Sequence, residues 1–131
     1  MSGLPGLMGL RHVALVVTDM ARMRWFYESV IGLLPVWVPD EKNVYLSMGR
    51  DNLALHTGTV PADAPQRLDH LGFCLAAAHD VDAAAERLVH FGLVLDKPVR
   101  THRDGSRSCY VRDPDGNLVQ LLFIPDIARA G

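Results

Sequence analysis

The order of apolar and polar positions along the chain repeats once. Residues 10–17 are mostly apolar and β-branched, which predicts a strand. The next stretch has apolar residues at helical intervals, namely Met23, Phe26, Tyr27, Val30 and Ile31. We expect Thr18 or Asp19 to cap this helix at its start and Gly32 to end it. Further strands are predicted near residues 34–38, 43–47 and 53–57.

The same succession begins again in the second half of the chain. Residues 68–75 resemble the first strand, and each run has a histidine at its third position, His12 or His70. A second set of apolar residues at helical intervals follows: Val81, Ala84, Ala85, Leu88 and Val89. Asp80 is expected to cap this helix and Gly92 to end it. The remaining strands are predicted near residues 93–97, 106–112 and 117–124.

This repeat predicts two βαβββ units, residues 9–60 and 67–125 or thereabouts, within a single domain. One unit alone would leave a sheet face bare, so the two must combine. We expect an α+β fold whose eight strands form a curled mixed sheet around a concave site. The closing runs, Asn-Leu-Ala-Leu and Asn-Leu-Val-Gln, align Gln120 with Leu55, which places His56 on the other face of its strand.

Composition and charge exclude several classes of partner. The net charge is −2 and the basic residues form no run, so we predict neither a nucleic-acid partner nor binding to an anionic membrane. Cys74 and Cys109 lie in apolar runs and are expected to be small buried core residues without a disulfide. The first residues lack the features of a signal peptide, and no apolar run reaches the length of a membrane span. The sequence therefore predicts a cytoplasmic protein.

The turn at residues 113–117, Asp-Pro-Asp-Gly-Asn, completes a recognisable set of features. With the paired βαβββ units and the two matching histidines, it resembles the vicinal oxygen chelate superfamily. That superfamily includes glyoxalase I, extradiol ring-cleaving dioxygenases, fosfomycin-resistance enzymes and bleomycin-binding proteins. The resemblance extends over nearly the whole chain and implies a divalent metal held by His12, His70 and Gln120.

The residue at position 120 departs from the family pattern, which usually has glutamate there. An amide oxygen can coordinate a metal, but Gln120 is neutral and would bind it less tightly. The alternative is that the site has lost its metal and Gln120 forms a hydrogen bond within the sheet. Imidazole ligands suit several metals, so we expect Fe(II) first, with Zn, Ni or Mn as alternatives. His56 is a further candidate ligand that the alignment of the two units disfavours.

In motif, the chain is most similar to the extradiol dioxygenases. These enzymes carry a tyrosine on the strand before their glutamate ligand and a histidine shortly upstream. The resemblance therefore implies that Tyr110 and His102 hydrogen-bond a substrate and move its protons. The alternatives are a half-buried core tyrosine and a solvated loop histidine. Asp51 and Asn52 stand where those enzymes often have another histidine, which weakens the proton-transfer interpretation.

Three functions remain open from the sequence. The favoured one is an extradiol-dioxygenase-like oxidoreductase acting on a catechol-like or other small molecule with vicinal oxygens. The second is an isomerase or lyase similar to glyoxalase I. The third is a binding protein for an aromatic or antibiotic ligand, using one of the aromatic residues Trp25, Trp37, Tyr45 and Phe73. Since related chains commonly pair, we also expect a homodimer.

Overall fold

A computed structural model describes residues 3–5, 8–60 and 68–125. The chain divides into two compact units, Met1–Ala62 and Asp63–Gly131. Each unit contains one helical segment and one four-stranded mixed sheet, so the predicted pair of βαβββ units is confirmed. Within the described ranges, no helix has the length and apolar character needed to cross a membrane.

The first unit has one helical segment after its first strand and three strands after that segment. Its elements are β1 (His12–Val17), α1 (Met20–Arg24), a π-helical continuation of α1 (Trp25–Ile31), β2 (Leu34–Asp40), β3 (Asn43–Ser47) and β4 (Asn52–Thr57). The strand order is β1-β4-β3-β2, with β1 parallel to β4 and the other pairs antiparallel.

The helical segment of the first unit begins and ends where the sequence predicts. The Asp19 carboxylate accepts a hydrogen bond from the backbone N–H of Arg22 at 3.1 Å, which caps the first turn. Gly32 ends the segment with a φ of 102°, a left-handed conformation that favours glycine. Four residues of the predicted apolar stripe are buried: Met23, Phe26, Tyr27 and Val30. They form the core together with one face of the sheet, which contributes Leu15, Val17, Leu53 and Leu55 among others.

The second unit repeats this arrangement. Its elements are β5 (Leu71–Cys74), α2 (Ala78–His90), β6 (Lys97–Thr101), β7 (Arg107–Arg112) and β8 (Leu118–Phe123). The strand order is β5-β8-β7-β6, with β5 parallel to β8. Helix α2 contacts β6, β7 and β8, and its buried residues are Val81, Ala85 and Leu88.

Three details of the second unit differ from the predictions. Asp80 does not occupy the cap position; it lies in the first turn, and its carboxylate accepts a hydrogen bond from the Ala77 backbone N–H at 3.0 Å. Val89 is 60% exposed, because the buried stripe of α2 is narrower than the apolar pattern. The strand predicted near residues 93–97 begins only at Lys97, since the Leu93 N–H still bonds to a carbonyl of the helix.

Strand register also corrects the alignment of the two units. Each sheet has one central position on its fourth strand that lies between a first-strand residue and a tyrosine. These positions are Ala54, between Ala14 and Tyr45, in the first unit, and Gln120, between Gly72 and Tyr110, in the second. The counterpart of Gln120 is therefore Ala54 and not Leu55.

This correction moves His56 to the opposite face from the one predicted. His56 pairs with Val16, two positions beyond Ala54, so its side chain lies on the same face as those of Ala54 and His12. The sequence alignment fails because the two hairpin turns differ in length: Ala54 lies nine residues after its paired tyrosine, whereas Gln120 lies ten residues after its own.

Candidate metal and substrate site

Each sheet has a helix-covered face and a second face, which we call the open face. Because side chains alternate along a strand, the candidate residues of each unit share its open face. In the first unit the open face includes His12, Ala14, Tyr45, Asn52, Ala54 and His56. In the second unit it includes His70, Gly72, Cys74, Ser108, Tyr110, Gln120 and Leu122. The two open faces are described separately below.

On the second open face, Tyr110 lies between a histidine and a cation. Its ring meets that of His70 edge-on, with centroids 5.6 Å apart and an interplanar angle of 81°. The Lys97 ammonium lies 5.2 Å from the centre of the same ring, within the range of a cation–π contact. Tyr110 is also the direct cross-strand neighbour of Gln120. The structure thus brings together His70, Tyr110 and Gln120, three of the residues predicted for the site.

Gly72 allows a close approach of side chains beside the amide of Gln120. A Cβ atom at position 72 would lie 3.7 Å from Oε1 of Gln120 and 3.0 Å from Cδ2 of Leu122. Glycine inside a strand often marks a place where another group approaches closely. The amide oxygen of Gln120 therefore lies close to the backbone at Gly72, next to the end of the Leu122 side chain.

The ring of His70 is oriented by the residue before it. The Nδ1 atom of His70 lies 2.6 Å from a carboxylate oxygen of Asp69, and the histidine side chain is about one third exposed. Since this contact occupies Nδ1, the second nitrogen, Nε2, is the one left for a ligand. The sequence analysis did not single out Asp69. Its position directly before a candidate ligand could have indicated a carboxylate that orients the histidine ring.

His102 lies farther along the same face, in the turn before β7. Its Nε2 atom lies 2.9 Å from the hydroxyl of Ser108, which is 2% exposed and two positions from Tyr110 on β7. The turn is held by Asp104, whose carboxylate accepts hydrogen bonds from the hydroxyl and backbone N–H of Ser106. Those bonds lower the pKa of Asp104. His102 therefore reaches the open face through Ser108, a residue that the sequence analysis missed.

The first open face has two groups of polar and aromatic residues. At one end, Nδ1 of His12 lies 2.8 Å from the side-chain oxygen of Asn52. Farther along, His56 makes the corresponding contact with Asn43 at 2.7 Å. The ring of His56 meets Tyr45 edge-on with centroids 5.7 Å apart, and Tyr45 stacks on Trp37 at 4.8 Å.

Only two of the four aromatic residues proposed for ligand binding belong to this stack, Trp37 and Tyr45. Trp25 lies in the π-helical segment, and Phe73 alternates with Gly72 and so lies on the other face of its strand.

The two cysteines differ in exposure, contrary to the prediction that both are buried. Cys109 is buried against the helix, and burial raises the pKa of its thiol. Cys74 is exposed, because the period of the strand places it on the open face with Gly72. Both are free thiols, as predicted.

The donor set expected for a metal is spread over the chain. His70 and Gln120 belong to the second unit and His12 to the first. Among the described residues, no three His, Cys, Asp or Glu side chains are grouped so that they could hold a metal ion. The predicted set contains only two residues of those types, so its assignment stays a prediction.

Comparison with known proteins identifies relatives over almost the full length. Residues 9–121 match the glyoxalase/bleomycin resistance protein/dioxygenase superfamily. The fosfomycin resistance protein FosX of Mesorhizobium japonicum is 30% identical over 86% of this chain and 84% of its own length. The metallothiol transferase FosB of Shouchella clausii is 29% identical over 86% of this chain and 78% of its own length.

Solved structures share the fold. A glyoxalase/dioxygenase from Nostoc punctiforme aligns with a TM-score of 0.78 at 23% identity and covers 95% of this chain and 97% of its own. The lactoylglutathione lyase of Agrobacterium tumefaciens aligns with a TM-score of 0.70 at 24% identity and covers 90% and 95%. At this level of identity, the likeness concerns the fold alone.

Proposed function

Because the chain belongs to the glyoxalase/bleomycin resistance protein/dioxygenase superfamily, we propose that it is a divalent-metal enzyme. Its proposed substrate is a small molecule that carries one oxygen on each of two neighbouring atoms. One observation carries the proposal: the side chains of His70, Tyr110 and Gln120 are neighbours on one open sheet face. A metal ligand beside a hydroxyl donor is an arrangement that can bind and polarise such a substrate.

The proposed metal ligands are His12, His70 and Gln120. Both histidines have Nδ1 in contact with a side-chain oxygen, which leaves Nε2 for a metal, and the Gln120 oxygen lies above Gly72. These are neutral donors of the kind that Fe(II), Zn, Ni and Mn accept, and Fe(II) remains our first choice. A metal held by these residues would supply Lewis acidity toward the oxygens of the substrate.

Tyr110 is the proposed substrate contact. Its hydroxyl can donate a hydrogen bond to a substrate oxygen beside Gln120, while Lys97 and His70 hold its ring in place. A negatively charged substrate is favoured by the Lys97 ammonium nearby. We assign His102 a second polar role, holding a proton at Nδ1 while its Nε2 contacts Ser108.

Two reactions fit this site. We propose oxygen-dependent cleavage of a catechol ring first, because Tyr110 and His102 follow the order found in the extradiol dioxygenases. The second candidate is opening of the fosfomycin epoxide, and it is favoured by the similarity to FosX and FosB and by Lys97 near the site. We further propose that the protein acts as a homodimer in the cytoplasm.

Parallel assays separate the two reactions. Protein loaded with Fe(II) under anaerobic conditions should consume oxygen when mixed with a series of catechols. Protein loaded with Mn(II), Zn(II) or Ni(II) is incubated with fosfomycin, with and without a thiol, and the phosphorus resonance of the antibiotic is followed. Turnover in the first assay alone supports the ring-cleavage proposal, and turnover in the second alone replaces it with the second candidate. The absence of turnover in both would remove the proposed function.

A pair of tyrosine variants tests the site itself. Tyr110→Phe should lower turnover by about 100-fold or more, as expected for loss of a group that transfers or donates a proton in the reaction. Tyr45→Phe changes the aligned tyrosine of the first unit and serves as the matched control. Metal affinity should stay unchanged in both variants. Equal turnover in the two variants would contradict the role given to Tyr110.

A further inference from the structure

Histidines on both open faces share one local feature. In three of them, a side-chain oxygen lies within hydrogen-bond distance of Nδ1. The pairs are His12 with Asn52 at 2.8 Å, His56 with Asn43 at 2.7 Å, and His70 with Asp69 at 2.6 Å. His102 differs, because its Nε2 atom contacts the hydroxyl of Ser108. The three pairs therefore present the same nitrogen, Nε2, away from their partner.

The partner of His70 is a carboxylate, whereas the partners of His12 and His56 are amides. An ionised carboxylate can only accept hydrogen bonds, so the contact with Asp69 requires a hydrogen on Nδ1 of His70. The amide of Asn52 has an acceptor oxygen and a donor NH₂ group, and rotating it by half a turn would suit either tautomer of His12. The contact therefore specifies one tautomer for His70 and leaves two open for His12.

We infer that Asp69 is a positioning residue that fixes the neutral tautomer of His70, with the hydrogen on Nδ1 and the lone pair on Nε2. This inference rests on the proposed function, because it gives the lone pair of Nε2 to the metal. A carboxylate behind an imidazole also makes the ring a better donor, so His70 becomes the stronger of the two histidine ligands.

Asp69 orients the His70 ring and adds little to the stability of the fold. Its side chain is 89% exposed, and a hydrogen bond to such an exposed carboxylate contributes little to the stability of the fold. Asp69 can therefore be replaced with little loss of stability. The neighbouring ring of Tyr110, edge-on at 5.6 Å, limits rotation of the His70 ring from the other side.

The tautomer can be measured without any metal. In protein labelled with ¹⁵N, two-bond proton–nitrogen spectra at about pH 8.5, where free imidazole is neutral, distinguish the nitrogen that carries the hydrogen. Wild-type His70 should show a protonated Nδ1 and an unprotonated Nε2. Asp69→Ala should shift His70 toward the other tautomer, and Asp69→Asn should give a mixture. His102 provides an internal reference in every spectrum, because its partner is unchanged.

The mirror variant on the first unit is the matched control. Asn52→Asp gives His12 the same kind of partner that His70 has, so its tautomer should become the single Nδ1–H form. The spectrum of His70 should not change in that variant. The inference would be overturned if wild-type His70 carried its hydrogen on Nε2. It would also be overturned if the tautomer of His70 were the same in wild type and in Asp69→Ala.

Metal titration then separates this inference from the proposed function. Co(II) and Zn(II) should bind Asp69→Ala about 10- to 100-fold more weakly than wild type, the usual cost of losing a carboxylate behind a histidine ligand. Equal affinity of wild type and Asp69→Ala would overturn the role of Asp69 and leave the proposed function standing. Failure of wild-type protein to bind either metal would overturn the proposed function, whereas the spectra alone would still decide whether Asp69 fixes the tautomer of His70.

Discussion

The open faces of the two units have matching strand positions but different chemistry. At the central position, the first unit has Ala54, which carries no donor atom, and the second has Gln120. The tyrosine beside that position is present in both units. In the first unit it contacts His56 on β4, and in the second it contacts His70, the residue before β5. The first face therefore has an aromatic stack beside two histidine–asparagine pairs, and the second has a glutamine beside a tyrosine and a histidine.

This difference shows how a duplicated framework can divide its tasks. The helix-covered faces are alike in both units, since each must bury the same kind of apolar stripe to fold. The open faces carry no such requirement, so their residues are free to differ. At the central position, the difference is that between the methyl group of Ala54 and the amide of Gln120.

Of the changes predicted here, removal of a histidine ligand should have the largest effect, which is a loss of metal retention. His70→Ala and His12→Ala are each expected to abolish retention of metal, because each removes one of three proposed donors. His56→Ala is the control and should retain metal at the wild-type level. Elemental analysis after loading and desalting gives the metal content, and circular dichroism checks that each variant is folded. Equal metal content in all three variants would break the assignment.

The reactivity of the two cysteines tests which face of the second sheet is open. Cys74 should react with a thiol reagent within minutes in the native protein, since its thiol is exposed. Cys109 should react only after denaturation, because it is buried and its pKa is raised by burial. Mass spectrometry of Cys74→Ser and Cys109→Ser identifies the labelled site. Rapid labelling of both thiols would contradict this description of the faces.

Adding a methyl group at position 72 should weaken metal binding less than removal of a histidine ligand does. In Gly72→Ala the new methyl group lies near Oε1 of Gln120 and close to Leu122, whose flexible end can move aside. We expect a several-fold loss of Zn(II) affinity in a protein that remains folded. The reverse change at the aligned position, Ala14→Gly, should lower stability by about 0.5–1 kcal/mol and leave the affinity alone. An unchanged affinity in Gly72→Ala would remove this position from the site.

The smallest expected effect concerns the ion pair between Asp82 of α2 and Arg107 of β7. Arg107 donates hydrogen bonds to Asp82 at 3.0 and 2.7 Å, and these bonds lower the pKa of the carboxyl. The pair therefore adds stability above the unfolded-state pKa of about 3.9, and that stability is lost as the pH falls through the lowered folded-state value.

Thermal unfolding of Asp82→Asn measures this effect. The variant should melt slightly below wild type at pH 7, and the difference should vanish toward pH 2. Glu86→Gln, an exposed change on the same helix, is the control. A difference in melting temperature that is constant with pH would show that the ion pair is not its cause.

The sequence predicted the elements well because their signals are local. The stripe from Met23 to Val30, the cap at Asp19 and the glycine at position 32 each act within one or two turns of helix. The internal repeat predicted the succession of strands and helices along the chain. The donor residues of the second unit also fell on one face, since the period of a strand is fixed.

The errors in the predictions came from features that local patterns do not contain. The length of a hairpin turn sets the register, so one extra residue before Gln120 was enough to misplace His56. Exposure depends on which face the helix covers, which the apolar runs around Cys74 did not reveal. The contact of Lys97 with Tyr110 joins two strands and has no signal in either run.

We propose that Gln120 on the second open face is a ligand of the divalent metal. Thermal unfolding of Gln120→Glu with and without Fe(II) under anaerobic conditions tests it most directly. A carboxylate in place of the amide should strengthen metal binding, so Fe(II) should raise the melting temperature of this variant more than that of wild type. Ala54→Glu, which buries the same charge in the first unit, should be destabilised and gain nothing from Fe(II). A Gln120→Glu protein that is less stable than wild type and also unaffected by Fe(II) would contradict the claim.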